Sequence, residues 1–162
     1  METYSTGLYP LSSEEKECLV AWLENQDAIL GVRTHGYFAK NDLEEWDAAP
    51  YIFDASTQEY TDPQGLLLQA DMLITDYSSI WIDYLLARKP VVGFVWDWKT
   101  YYNERGMIYE YEDVFPGKLV ETFNEFMEWL EVHKTFEFSG KEEEEKLERS
   151  LRLFMKFSDS GA

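Results

Sequence analysis

Between Asp71 and Pro90 the chain changes its apolar period, and few folds accommodate that change. Met72-Leu73-Ile74 is a short apolar run suited to an interior parallel strand. Thr75-Asp76-Tyr77-Ser78-Ser79 is polar, and Ile80, Ile82, Leu85 and Leu86 then recur at spacings close to those of a helix. Ser78 or Ser79 can cap the first helical turn. The unpaired N–H groups there, with the helix dipole and the hydroxyls, present donors to an anion. An ordinary strand-to-helix connection is written in the same way, so spacing alone leaves both readings open.

The flanking segments repeat the alternation. Ser12-x-x-Glu15 reads as a capping box opening a helix to about Gln26, and Ala28 to Val32 reads as a strand followed by the polar turn Arg33–Gly36. A brief helix is expected over Phe38 to Trp46, then a strand at Tyr51-Ile52-Phe53. Asp62-Pro63 supplies a cap and a first-turn proline for a helix through Leu68. Val91 to Val95 and Lys118 to Val120 read as further strands. Glu121 to Val132 carries Phe123, Phe126, Met127 and Leu130 at helical spacing. In the terminal helix, Leu147, Leu151 and Phe154 form an apolar seam, and the four glutamates between Lys141 and Lys146 read as its solvated face.

This order predicts an α/β fold, a Rossmann-like parallel sheet with helices on both faces, within one domain over residues 1–162. Ligands of such sheets lie beyond the carboxyl ends of the strands. Arg33-Thr34-His35, Asp54-Ala55-Ser56, Thr75–Ser79 and the aromatic, charged loop from Trp96 to Gly106 all fall there.

Charge narrows the possible ligands. With 14 basic against 32 acidic side chains the formal net charge is −18, which argues against a nonspecific nucleic-acid surface or an anionic-membrane surface. Any phosphate site must therefore be local, and Arg33, Arg88, Lys89, Lys99 and Arg105 are the nearby basic groups. Cys18 is the single cysteine, expected as a small buried hydrophobe, which excludes a disulfide framework and a cysteine-rich metal site. No leader and no apolar run of membrane-spanning length is evident, so the expected location is cytoplasmic. No Ser-His-Asp order, carboxylate pair or His-x-x-x-His spacing points to hydrolysis or a metal, and no tightly bound cofactor is expected.

Among single residues, His35 stands in a sheet-edge loop beside Arg33, where it can donate to a phosphate oxygen or protonate a leaving group. A hydrogen-bonded structural histidine is the alternative. Arg105 can clamp a phosphate from the long loop or remain solvated. Asp76 is a poor neighbour for phosphate, and it either fixes its loop through backbone hydrogen bonds or meets a ribose hydroxyl. His133, at a helix end beside Lys134, reads as structural. Trp81, Trp96 and Trp98 read as packing, although a ring of the 96–102 loop can contact a nucleobase.

The literal string adds what spacing lacks. Leu73-Ile74-Thr75-Asp76-Tyr77-Ser78-Ser79, followed by Asp83 and Arg88-Lys89-Pro90, resembles the CDP-glycerol glycerophosphotransferases, bacterial teichoic-acid and capsule polymerases. Arg105-Gly106, Tyr111-Glu112-Asp113 and Pro116-Gly117 resemble later signatures of that family, and Arg33-Thr34-His35 its Arg-x-His-Pro motif, with Gly36 in place of the proline. The resemblance implies one half of a two-domain glycosyltransferase-B architecture, the C-terminal half that binds CDP-glycerol as substrate. It implies His35 as catalytic residue, with Arg33, Thr75, Asp76, Ser78, Ser79 and Arg105 binding the donor. The acceptor, a polyol phosphate or glycan, would be met through an N-terminal half outside this chain. The full-length enzyme would sit at the inner face of the membrane without this domain touching it. Asp159-Ser160-Gly161-Ala162 resembles the start of the family's terminal stretch, so the chain is expected to be a fragment, inactive alone. A nucleotide-sugar glycosyltransferase domain and a nonenzymatic nucleotide-binding module are the alternatives.

Overall fold

The structure, a computed structural model, describes residues 9–33, 49–56, 59–98 and 111–155. The chain divides into two compact units, residues 1–66 and 67–162.

In the first unit, helix α1 (Ser13–Asn25) opens on the expected capping box. The Glu15 N–H donates to Ser12 Oγ at 3.2 Å, and the Ser12 N–H donates to Glu15 Oε2 at 2.8 Å. Its buried side is Leu19, Trp22 and Leu23, whereas Cys18 is exposed. The expectation of a buried cysteine fails because position 18 lies about 90° from the centre of the Leu19-Trp22-Leu23 stripe, at its margin. Strands β1 (Leu30–Val32) and β2 (Ile52–Asp54) pair in parallel with Leu30 opposite Ile52 and Val32 opposite Asp54. Strand β2 starts one residue later than the apolar run indicates, because Tyr51 adopts a φ of 69°, outside the extended region. The helix expected over Phe38 to Trp46 lies outside the described residues. Helix α2 (Pro63–Gln69) follows as expected, with Asp62 Oδ1 accepting the Gln64 N–H at 3.0 Å.

The second unit holds a three-stranded sheet in the order β3 (Leu73–Thr75), β4 (Val91–Phe94), β5 (Lys118–Val120), parallel throughout. Between β3 and β4 run the short helix α3 (Ile80–Tyr84) and a 3-10 turn, Leu85–Ala87, which ends where Arg88 takes a left-handed φ of 52°. Helix α4 (Tyr111–Val114) precedes β5, and α5 (Phe123–Val132) and α6 (Lys141–Phe154) follow it. The core joins Trp81, Tyr84 and Leu85 to Val91, Val95, Tyr111 and Phe115, and is closed by Leu147 and Leu151 of α6. Phe154 meets Trp81 edge-on at 5.2 Å, so the apolar seam of α6 does the packing its spacing predicts. Tyr84 donates its hydroxyl to Ala70 O at 3.0 Å, and burial, then the Asp71 charge, pushes its phenol above the ordinary range.

The glutamate run divides. Glu142, Glu144 and Glu145 are exposed as expected, but Glu143 turns to His133. His133 is 1% exposed, with Nδ1 at 2.8 Å from Trp129 O and Nε2 at 2.9 Å from both Glu143 carboxylate oxygens. Its ring also stacks on Trp129 at 4.0 Å. The histidine read as structural thus ties α5 to α6. No helix among the described residues is long and apolar enough to cross a membrane.

Candidate functional site

Strand β3 ends at Thr75, 8% exposed, and the chain turns sharply over Asp76 to Ser79. Asp76 makes the turn: its Oδ1 accepts the Ser78 N–H at 2.8 Å, the local bond by which aspartate closes a turn on the residue two positions on. Of the two uses open to Asp76, the structure shows loop fixing. Ser78 Oγ accepts the Ile80 N–H only at 3.5 Å, and the Ser79 side chain makes no capping bond at all. Seryl capping of α3 is therefore not what the structure shows at Ser79. That residue already has helical dihedrals (φ −70°, ψ 0°), whereas a capping side chain needs extended backbone to reach back to the first turn. Ser79 is exposed and Ser78 half-buried, so the turn presents two hydroxyls that helix formation has scarcely used.

The turn is gripped by aromatic side chains, Trp98 among the rings read from sequence as packing and Tyr77 and Tyr111 noted there only as members of motifs. Tyr77 donates its hydroxyl to Asp97 Oδ1 at 2.6 Å, linking the segments that leave β3 and β4. Tyr111, at the start of α4 and 6% exposed, donates its hydroxyl to the Asp76 main-chain carbonyl at 2.9 Å. Trp98 stacks on Tyr77 with centroids 5.8 Å apart and planes 26° from parallel, and it lies 5.9 Å from Tyr111. Neighbouring strand ends are thus locked together at the edge where a parallel sheet holds its ligand.

The loops after β1 and β2 are joined in the same manner. Arg33 Nη1 donates to Ala55 O at 2.8 Å and Tyr60 O at 3.0 Å, so this guanidinium spans the exit from β2. Asp54 Oδ1 accepts the Ser56 N–H at 2.7 Å, the same turn that Asp76 makes with Ser78. Of the other basic groups, Arg88 pairs with Glu148, and Lys89 Nζ donates to Asp71 Oδ1 at 2.9 Å and Ala70 O at 3.0 Å. Both are engaged in the scaffold. Thr75, Asp76, Ser78 and Ser79 therefore share one turn of the second unit, while Arg33 belongs to the first. His35, Gly36, Lys99 and Arg105 lie outside the described residues.

Comparison with known proteins supplies the wider setting. The family described as CDP-Glycerol:Poly(glycerophosphate) glycerophosphotransferase matches residues 9–162. The teichoic acid ribitol-phosphate polymerase TarL of Staphylococcus aureus is 28% identical over 91% of this chain, which covers 28% of that protein. A teichoic acid poly(glycerol phosphate) polymerase of Bacillus subtilis is 37% identical over 62% of the chain, covering 13% of that protein. Among solved structures, a histidine-to-asparagine variant of the wall teichoic acid polymerase TagF, soaked with CDPG, superposes with a TM-score of 0.66 at 26% identity. That superposition covers 96% of this chain and 36% of TagF. The chain spans well under half the length of these relatives. The α/β fold with parallel sheets is shared with TagF, and the match over residues 9–162 places the chain in the CDP-glycerol:poly(glycerophosphate) glycerophosphotransferase family.

Proposed function

We propose that this chain forms the donor-binding part of a transferase that moves an alditol phosphate, glycerol phosphate in the first instance, from its CDP ester to an acceptor hydroxyl. The observation that carries the reading is the turn after β3, where Asp76 is committed to the Ser78 N–H, Ser79 makes no side-chain cap and Ser78 Oγ meets the Ile80 N–H only at 3.5 Å. In the transfer an acceptor hydroxyl oxygen attacks the β-phosphorus and releases its proton to solvent, the bond from that phosphorus to the bridging oxygen breaks, and CMP leaves with the electron pair. Ser78 holds the diphosphate through its hydroxyl and Ser79 through its hydroxyl and backbone N–H, while Thr75 and Asp76 shape the turn. His35 donates a proton to the leaving phosphate, with Arg33 and Arg105 compensating charge. The acceptor is bound by a part of the enzyme outside this chain.

Titration calorimetry of the chain with CDP-glycerol, CDP-ribitol and a UDP-sugar tests the proposal. Cytidine-selective binding is expected. Absence of cytidine selectivity overturns it in favour of a nucleotide-sugar site, and absence of nucleotide binding points to a module without donor function. Ser78→Ala combined with Ser79→Ala, and separately His35→Ala, should weaken CDP-glycerol binding with the melting temperature unchanged. Unaltered affinity in both removes the phosphate cradle.

A further inference from the structure

We infer that Tyr77, within the Asp76–Ser79 turn, and Asp97 and Tyr111, outside it, are positioning residues for the donor phosphates and hold that turn in a single geometry; this rests on the donor-binding reading above. Within the turn the Ser78 N–H donates to Asp76 Oδ1 at 2.8 Å, but the start of α3 adds little to that bond. Ser79 provides no side-chain cap, Ser78 Oγ reaches the Ile80 N–H only at 3.5 Å, and α3 is five residues long. A phosphate cradle works only if its donors are already aimed where the charge will lie. The rest of the rigidity must therefore come from neighbours.

Two directed bonds provide it. Tyr111 holds the Asp76 carbonyl at 2.9 Å, while the Asp76 carboxylate holds the Ser78 N–H at 2.8 Å, so this residue is fixed at its main chain and passes the constraint to the serine. Tyr77, between Asp76 and Ser78, is tied through its hydroxyl to Asp97 at 2.6 Å, a residue 20 positions away. Tyr77, Trp98 and Tyr111 close a triangle of rings, with the two tyrosines 6.5 Å apart. Phenylalanine would fill the same space at positions 77 and 111. The hydroxyls add direction, one acting on the turn and the other on the segment that leaves β4.

The test uses the 162-residue chain with Tyr77→Phe, Tyr111→Phe, Asp97→Ala and Asp97→Asn, titrated with CDP-glycerol and followed by amide exchange at Ser78 to Ile80 in the free protein. The two phenylalanine variants and Asp97→Ala should bind about tenfold more weakly, the order of affinity that one directed hydrogen bond carries. They should also exchange faster at Ser78. Asp97→Asn keeps an oxygen acceptor for Tyr77 and should retain wild-type affinity. Faster exchange with unchanged affinity overturns the inference, as does an Asp97→Asn variant as impaired as Asp97→Ala with affinity falling only in step with melting temperature. Failure of the wild-type chain itself to bind CDP-glycerol is a different result, which overturns the donor-binding reading and this inference with it.

Discussion

A Cβ atom placed on Gly117 lies 1.8 Å from the carbonyl oxygen of Val91. Strand β5 begins at the next residue and pairs with β4 from Val92 onward, so the Pro116-Gly117 step brings two backbones together at the mouth of that pairing. The obstacle is main chain in a central strand and cannot rotate aside. Gly117→Ala is expected to destabilise the chain by about 3 kcal/mol, the upper part of the overpacking range, measured by urea denaturation. A loss below about 0.5 kcal/mol would show that the two strands can part without cost.

His133 should behave as a packing residue with two directed bonds. The Trp129 carbonyl can only accept, so Nδ1 carries a proton, and Nε2 faces the Glu143 carboxylate. His133→Ala removes a ring stacked on Trp129 together with both of its side-chain bonds, while the Trp129 carbonyl keeps the N–H of residue 133 and Glu143 keeps that of Ser139; the expected cost is about 2–4 kcal/mol. Glu143→Gln still offers an oxygen to Nε2 and should cost about 1 kcal/mol. Chemical denaturation of both variants checks the order; equal losses would mean that the ring's volume matters little beside the charge.

Legibility in the sequence followed the range of the interaction. The Ser12-x-x-Glu15 box, the Asp62-Pro63 start of α2 and the Leu147-Leu151-Phe154 seam are set by neighbours within one or two turns, and each is where its pattern places it. Thr122-x-x-Glu125 opens α5 with the same box and is equally local, yet the apolar stripe drew the helix start two residues early. The turn at Asp76 was legible as a polar junction, but its supports were not. Tyr111 reaches it across 35 positions and Asp97 meets Tyr77 across 20, and no periodicity encodes such pairs. Glu143 was hidden inside a charge run, because a helix sends one residue in four towards a neighbour whatever the surrounding composition.

Arg33 offers a test of loop bracing in the first unit. Its Nη1 spans the Ala55 and Tyr60 carbonyls, and the Ala55 N–H in turn donates to Val32 O at 2.8 Å, next to Arg33 itself. Arg33→Ala removes both charge-assisted bonds and is expected to cost about 1–2 kcal/mol, with faster amide exchange at Ala55. Arg33→Lys carries the charge without the planar fork and should recover only part of the loss. Exchange at Ala55 that does not change in either variant would rule out the brace.

The two capping boxes predict a particular acid response. Glu125 accepts the N–H groups of Glu121 and Thr122, and Glu15 accepts that of Ser12; these bonds favour the ionised carboxylates and hold both below the ordinary glutamate value of 4.5. A folded-state value below the unfolded one means that the stabilisation is complete above the unfolded value and is lost as pH falls through the folded one. The other acidic groups of this strongly negative chain lose mutual repulsion over the same interval, so the wild-type profile alone mixes opposing effects. The difference between the wild type and Glu15→Gln with Glu125→Gln isolates the boxes, because glutamine keeps an acceptor but does not titrate there. Wild-type stability should exceed that of the double variant at pH 7 and converge towards it between about pH 5 and pH 3. A gap that is constant with pH in thermal denaturation would mean that the cap bonds do not depend on carboxylate charge.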